Sequence, residues 1–82
     1  MKTQPALTLY LRYGCSLCDE MLAALRPLQQ ELGFYLDIVE VEEEPALEQR
    51  YGTRVPVLTS PQGELCQYFL DEERVRRYFA AL

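Results

Sequence analysis

Two cysteines separated by two residues, Cys15 and Cys18, are the side chains of this sequence best suited to chemistry. An apolar stretch, Leu7–Leu11, comes just before them, and a helical pattern begins just after them. This order predicts a strand, a tight turn and a helix that starts at the cysteines. Unpaired N–H groups and the helix dipole favour negative charge at a helix N-terminus. Because the thiolate is the reactive form of cysteine, the sequence predicts thiol–disulfide chemistry at this turn.

The same cysteine spacing also occurs in metal sites, which leaves alternatives open. A structural zinc ion takes four protein ligands. The chain has no histidine and one further cysteine, Cys66, so a sulfur-rich site for one metal ion is one ligand short within a single chain. A site shared between two chains, an iron–sulfur cluster and a pair of reduced structural thiols remain as alternatives. The strand-to-helix junction favours redox or cluster chemistry over structural thiols.

Size, charge and composition exclude several classes of protein. The chain has 82 residues, of which 49% are hydrophobic and 26% are charged, and this predicts a single globular domain over 1–82. A net charge of −5 argues against a nucleic-acid partner, which requires a basic face. No segment reaches the roughly 18 apolar residues of a membrane span, and Met1–Pro5 lacks the apolar stretch of a secretory signal. Three cysteines do not suit a fully paired disulfide scaffold, so we expect a cytoplasmic protein.

The first half of the chain predicts a strand, a helix and a second strand. Apolar residues spaced by three or four follow the cysteines and mark an amphipathic helix: Leu17, Met21, Leu25, Leu28 and Leu32. Pro27 predicts a kink or break near 23–26, because proline lacks the N–H donor and crowds the preceding turn. Gly33 suits the end of this helix. Phe34–Val41 is rich in aromatic and β-branched residues and predicts the second strand.

The second half of the chain predicts a short helix, a hairpin and a final helix. The short helix begins at Pro45 and ends near 51. The hairpin strands are Val57–Thr59 and a stretch from about 64 to 69, joined by a type I turn at 60–63. Asp71 suits the N-cap of the last helix. The apolar stripe of that helix is Val75, Tyr78, Phe79 and Leu82. The order βαβαββα predicts an α/β fold, a four-stranded mixed sheet with flanking helices.

These elements and motifs resemble the thioredoxin fold in its compact glutaredoxin form, over about 7–82. The similarity to small bacterial glutaredoxin-like proteins is carried by the segment from LY (residues 9–10) through GCSLCDE (residues 14–20), by YG (residues 51–52) and by VPVL (residues 55–58). The resemblance implies a thioredoxin-like fold and a thiol–disulfide oxidoreductase. The resemblance implies that such an enzyme needs no bound cofactor and that glutathione is a candidate reductant or co-substrate. It further implies protein disulfides or glutathione mixed disulfides as partners of a monomer that binds neither nucleic acid nor membrane.

The resemblance implies a role for both cysteines and for a proline. Cys15 matches the nucleophilic cysteine of the family, which is partly exposed and activated by the helix terminus. Cys18 matches the more buried resolving cysteine. Pro56 matches the family's cis-proline, which lies beside the cysteines and directs the backbone N–H and C=O of Val55 toward an extended ligand. The alternative for Pro56 is a proline that simply starts a strand.

Further side chains are candidates for contacting a substrate. Arg12 stands three residues before the first cysteine, where glutaredoxins commonly carry a lysine. The resemblance implies that Arg12 supports the thiolate and binds a carboxylate of glutathione, and the alternative is a solvated arginine at a strand end. Arg54 is a weaker candidate for a ligand carboxylate, as are Gln49 and Arg50, because exposed arginines are common. Tyr13 is a candidate for stacking near the site, with partly exposed packing as the alternative.

The sequence departs from the glutaredoxin pattern at two places. Glutaredoxins usually have Pro-Tyr between the cysteines, where this chain has SL (residues 16–17). They bind the far end of glutathione through a Gly-Gly-x-Asp element after the fourth strand, where this chain has YFLD (residues 68–71). We expect these bulky side chains to obstruct the close backbone approach that glycine permits. Asp19 and Glu20 add negative charge just after Cys18, which opposes thiolate formation where it faces the sulfur.

Two functions remain as alternatives to a dithiol oxidoreductase. A metal or iron–sulfur protein would use Cys15, with or without Cys18, and would take its missing ligands from a partner chain or from glutathione. The absence of proline at position 16 leaves the turn freer to adjust to such a site. A thioredoxin-like interaction module would keep the fold without using the thiols. The third cysteine, Cys66, is expected to be a small buried apolar residue on the fourth strand.

Overall fold

In a computed structural model, the described residues, 5–82, form a four-stranded mixed sheet with helices packed on it. The strands are β1 (Ala6–Leu11), β2 (Tyr35–Glu40), β3 (Val57–Ser60) and β4 (Gly63–Gln67). The helices are α1 (Ser16–Leu32), α2 (Pro45–Tyr51) and α3 (Glu72–Ala80). Within 5–82, none of the helices is long and apolar enough to cross a membrane. The prediction that the N-terminus lacks a secretory signal concerns residues 1–5. Residues 1–4 lie outside the described residues.

The strand order is β2-β1-β3-β4, with β1 in the interior of the sheet. β1 and β2 are parallel, so the chain returns to the start of the sheet through α1. β3 runs antiparallel to β1, and β4 runs antiparallel to β3. The end of β1, the start of β3 and the end of β4 therefore lie at the same edge of the sheet.

Apolar side chains cover both faces of the sheet. On one face, β1 packs against α1 and α3, and Leu9, Leu25 and Val75 are among the fully buried members of this larger cluster. On the other face, a smaller cluster joins β3 to α2. The ring of Tyr51 stacks there on Tyr10 of β1, with 4.1 Å between the ring centroids. α1 and α3 thus share one face of the sheet, and α2 covers the other.

The sequence predicted a kink or a break near 23–26. α1 is continuous over 17 residues, so a break there is wrong. Pro27 and the residue four positions before it lie on the exposed face of the helix. The proline therefore removes one hydrogen bond on the side that faces water. Leu25 and Leu28 are buried on the opposite side, and their burial holds the helix together through the proline. α1 is followed at the predicted position by Gly33, whose φ of 73° is left-handed.

The second half of the chain follows the predicted order with two shifts. Asp71 is the N-cap of α3, as predicted, and its side chain accepts a hydrogen bond of 3.0 Å from the N–H of Arg74. β4 ends at Gln67, two residues earlier than predicted, because Tyr68 adopts a left-handed φ of 66° that leaves the strand. Leu82 is exposed, so its assignment to the apolar stripe of α3 is wrong. It lies two residues beyond the end of the helix.

Candidate active site

Three connections of the chain meet at one edge of the sheet. Val57, the first residue of β3, pairs with Tyr10 near the end of β1 and with Gln67 at the end of β4. The segments that adjoin these strand ends therefore start from neighbouring positions. We name them as follows: the cysteine turn (residues 12–18) after β1, the proline segment (residues 53–56) before β3 and the aromatic turn (residues 68–71) after β4.

Cys15 and Cys18 form a disulfide across the first turn of α1, with their Cα atoms 5.2 Å apart. Cys15 is the N-cap of the helix and is half-buried, whereas Cys18 is only 1% exposed. The N–H of Cys18 donates to Sγ of Cys15 at 3.1 Å, so sulfur takes the place of the usual N-cap oxygen. In the reduced protein this donor and the helix dipole favour a thiolate at Cys15. Cys15 thus carries the more accessible of the two sulfurs.

The proline segment is tied to the aromatic turn by two hydrogen bonds. The Val55–Pro56 peptide bond is cis, and Pro56 is fully buried. The N–H of Tyr68 donates to the Pro56 carbonyl at 2.9 Å, and the Tyr68 hydroxyl donates to the Thr53 carbonyl at 3.2 Å. Val55 and Cys15 both pack against the larger core cluster. Among residues 5–82, none hydrogen-bonds the backbone N–H or C=O of Val55.

Arg12 is tied to α2. Its guanidinium donates to both carboxylate oxygens of Glu48 and to the Gly52 carbonyl at 2.9 Å, and it lies 3.4 Å from the carboxylate of Glu42. The hydrogen bond from Arg12 lowers the pKa of Glu48. These contacts attach the end of β1 to α2. The role of Arg12 in binding a substrate carboxylate stays a prediction, and its charge is already paired in this structure.

Arg54 is paired in the same way, but with β4. It donates to the two carboxylate oxygens of Glu64 at 2.9 and 3.0 Å and to the side-chain oxygen of Gln67 at 2.8 Å. The hydrogen bond from Arg54 lowers the pKa of Glu64. Arg54 therefore holds the proline segment against the hairpin. Of the weaker candidates, Gln49 is exposed, and Arg50 lies over the ring of Tyr51 with 5.2 Å to its centroid.

Exposed aromatic side chains surround the cysteine turn. Tyr13 is 77% exposed within that turn, and Phe69 is 70% exposed in the aromatic turn. A groove of about 180 Å³ runs between α1 and the aromatic turn, and Leu17, Glu20 and Phe69 are among its lining residues. The sequence identified the bulky residues at 68–69 only as an obstacle to glutathione. Their exposure is set by the fold, so no local sequence signal indicated the groove.

The residues that form this site lie in a segment with known relatives. Residues 6–80 match the family model described as a Glutaredoxin-like domain (DUF836). The chain belongs to the glutaredoxin-like family. This glutaredoxin-like chain is 30% identical over 79 residues to the uncharacterized protein Rv0508 from Mycobacterium tuberculosis, a match that covers 90% of the chain and 81% of that protein.

Solved structures place the glutaredoxin-like chain in a known fold. It is 40% identical to Ne2328 from Nitrosomonas europaea, solved by NMR, with a TM-score of 0.81 and 95% of each chain covered. Thioredoxin 1 from Thermosipho africanus is 15% identical and superposes with a TM-score of 0.65 over 93% of this chain and 96% of its own. The predicted thioredoxin-like fold, with its mixed sheet and flanking helices, is confirmed.

The third cysteine of the glutaredoxin-like chain is not part of the disulfide. Cys66 is half-buried on β4 and packs against the larger core cluster. Burial raises the pKa of its thiol, so it carries little thiolate at neutral pH. Within the described part of the chain, no group of three or more His, Cys, Asp or Glu side chains is arranged to hold a metal ion. The arrangement of side chains therefore adds no support to the metal-binding alternative.

Replacing Arg12 with alanine is expected to lower the Tm of the glutaredoxin-like protein by a few degrees at pH 7, because the tie between β1 and α2 is lost. The pKa of Glu48 is lowered from 4.5 in the folded state, so this contribution is present above that value and is lost as pH falls below it. The Tm difference between wild type and R12A should therefore shrink in acid. Thermal unfolding of wild type and R12A at pH 7 and at a pH below 4.5 measures this difference.

The control for this prediction is Arg26→Ala. Arg26 is exposed on α1, and among the described residues its side chain hydrogen-bonds only with that of Gln29, three positions away on the same helix. We expect no change in Tm for R26A. If R12A also leaves the Tm unchanged but weakens reaction with a glutathione mixed disulfide, the ligand role that the resemblance implied for Arg12 is the correct one.

Proposed function

We propose that this glutaredoxin-like protein is a thiol–disulfide oxidoreductase, with Cys15 as the nucleophile and Cys18 as the resolving cysteine. The observation that carries the proposal is the Cys15–Cys18 disulfide at the start of α1, in which the more accessible sulfur accepts the N–H of Cys18. The difference in exposure supports this order of attack. An external disulfide reaches Cys15, while Cys18 acts from within the core.

The reaction begins with the reduced protein. The Cys15 thiolate attacks one sulfur of a substrate disulfide, a mixed disulfide forms, and the other substrate sulfur leaves as a thiolate that takes a proton from water. The Cys18 thiol loses its proton to solvent and attacks Sγ of Cys15, which expels the second substrate thiolate. The substrate gains two electrons, and the protein ends with the Cys15–Cys18 disulfide. An external thiol reductant, such as glutathione, returns the protein to its dithiol form.

The proline segment is proposed to position the substrate. Val55 lies at the same edge as the cysteine turn, and its backbone N–H and C=O are unbonded to any residue in 5–82. An extended peptide that adds to these groups by strand-like pairing would place its disulfide beside Cys15. The backbone next to Val55 is held in place, because the Pro56 carbonyl accepts a hydrogen bond from the N–H of Tyr68.

Protein disulfides or glutathione mixed disulfides are the proposed partners, and the cytoplasm is the proposed location. Two of the three cysteines pair, and Cys66 remains a free thiol. A free thiol suits a reducing compartment. One chain supplies both reactive thiols, so the protein is proposed to act as a monomer.

The test of this function is a direct assay of disulfide reduction. Pre-reduced protein is mixed with bis(2-hydroxyethyl) disulfide or with a glutathione mixed disulfide, and the loss of substrate is followed under anaerobic conditions. The second-order rate constant is expected to exceed that of a simple monothiol at the same pH, because the helix N-terminus favours the thiolate. A rate no greater than that of the free monothiol with both substrates would refute the proposal.

A further inference from the structure

We infer that the groove beside the cysteine turn selects a polypeptide disulfide flanked by apolar and positively charged residues, in preference to the anionic tripeptide glutathione. The inference rests on the proposed function and specifies its substrate class. Three observations at one edge of the sheet carry it: an apolar groove, a turn whose backbone donors are already used, and a negative surface where Arg12 and Arg54 are each paired with a glutamate.

The groove begins at Leu17, the residue next to Cys18, and is largely apolar. Leu17 stands between the two cysteines and lines one end, with Met21 of α1 further along. Phe69 and Leu70 line the opposite wall. A side chain that is 70% exposed, as Phe69 is, costs free energy in water and gains when an apolar group covers it. An apolar residue next to the substrate disulfide would fill this groove.

The aromatic turn holds Phe69 in place through a backbone conformation that is uncommon for a bulky residue. Tyr68 has a φ of 66°, in the left-handed region that aromatic residues rarely adopt. Its N–H and its hydroxyl are bonded to the proline segment, and the N–H of Phe69 donates to the Gln67 carbonyl at 2.7 Å. Strain of this kind persists where the surrounding structure enforces it, and it is concentrated at binding sites. The turn thus presents Phe69 to a partner at little ordering cost.

The same hydrogen bonds disfavour the binding of an anion at the aromatic turn. The N–H groups of Tyr68 and Phe69 donate within the protein, and the backbone of Asp71 hydrogen-bonds Cys66. The carboxylate of Asp71 occupies the N-terminus of α3, where it accepts from the N–H of Arg74. A ligand carboxylate at this place would meet a carboxylate and donors that are already bonded.

Charge at this edge favours a cationic partner. Glu20 lines the groove, Asp19 lies in the same turn of α1, and the chain carries a net charge of −5. Two of the arginines considered for a substrate carboxylate are each held by a glutamate, Arg12 by Glu48 and Arg54 by Glu64. A lysine or arginine beside the substrate disulfide complements this surface, and the carboxylates of glutathione do not.

The experiment compares three disulfides in a single turnover of pre-reduced protein. Two are synthetic peptide dimers of equal length, one with leucine and lysine beside the cysteine and one with serine and glutamate there. The third is glutathione disulfide. Each rate constant is divided by that of a free monothiol with the same substrate, which removes intrinsic differences in reactivity. We expect a ratio about tenfold larger for the leucine–lysine peptide than for either other disulfide, and a smaller difference at high salt.

Two variants and a matched control locate the effect. Phe69→Ser is expected to lower the ratio for the leucine–lysine peptide about tenfold, as removal of an exposed aromatic anchor does at a binding surface, and to affect glutathione disulfide less. Glu20→Gln is expected to reduce the preference for lysine over glutamate. The control is Tyr35→Ser, since Tyr35 is 58% exposed at the opposite edge of the sheet, and we expect it to leave all three rates unchanged.

The outcomes separate this inference from the proposed function. If glutathione disulfide has the highest ratio, or if Phe69→Ser behaves like Tyr35→Ser, the selectivity inference is overturned and the oxidoreductase function stands. If no disulfide reacts faster than with the free monothiol, both are overturned. A preference for the leucine–lysine peptide that Phe69→Ser removes supports both.

Discussion

Replacing Cys15 with serine is expected to abolish disulfide reduction, whereas replacing Cys18 with serine is expected to trap the substrate on the protein. Without Cys15, the sulfur at the N-cap of α1 is lost, and Cys18 is too buried to meet an external disulfide. Without Cys18, Cys15 still attacks, but no second thiol is present at the same turn to expel the product. The first variant should fall to the rate of the uncatalysed reaction.

Intact-protein mass spectrometry measures the trapped species. Cys18→Ser incubated with a peptide disulfide should gain the mass of one peptide, bound at Cys15 and released by a strong dithiol reductant. The matched control is Cys66→Ser, which should retain wild-type activity because burial raises the pKa of the Cys66 thiol and disfavours its thiolate. Full activity in Cys15→Ser, or a peptide that maps to Cys66, would exclude the assigned roles.

The placement of the cysteine pair could be predicted from sequence because each signal is local. An apolar strand, a C-x-x-C spacing and a helical stripe each act over a few residues, and together they predict a cysteine pair suited to thiol–disulfide chemistry at the start of α1. Asp71 was predicted in the same way, since an N-cap is set by its own side chain and the next three residues. The mixed sheet with flanking helices was predicted from the order of the elements, because a parallel pair requires a crossover connection and a hairpin gives an antiparallel pair.

The surroundings of the pair could not be predicted, because they depend on contacts between distant parts of the chain. Arg12 meets Glu48 across 36 positions of sequence, and nothing near either residue indicates the pairing. The sequence therefore suggested a free cation where the fold has a paired one. The aromatic turn is a similar case. Tyr68 leaves the strand because its backbone and hydroxyl bond to the proline segment, a contact that strand propensity does not reveal.

The continuous α1 shows how packing overrides a local signal. Proline weakens a helix by removing one donor and crowding one turn. Here that cost falls on the exposed side, while the buried leucines on either side of Pro27 hold both halves of the helix against the sheet. The periodicity of apolar residues identifies the buried face of a helix but not the free energy that this face gains by packing against the sheet. The predicted break failed for that reason.

Replacing Phe34 with alanine is expected to cost about 3–5 kcal/mol of unfolding free energy, a large share of the roughly 5–15 kcal/mol of a typical domain. Phe34 is 1% exposed between α1 and β2, and its ring stacks on Phe79 of α3 with 5.1 Å between the centroids. Alanine leaves a cavity where the ring was and removes an aromatic pair. Chemical denaturation of the oxidised protein, followed by circular dichroism, measures the loss.

The neighbouring residue supplies the control. Tyr35→Ala removes an exposed ring one position away and is expected to change the free energy of unfolding by no more than about 0.5 kcal/mol. Equal losses for the two variants would show that Phe34 does not anchor α3. Substrate preference provides a second measurement, because the aromatic turn adjoins α3 whereas the cysteine turn adjoins β1 and α1. In the fraction of Phe34→Ala that is folded, we therefore expect a reduced preference for the leucine–lysine peptide and unchanged reactivity at Cys15.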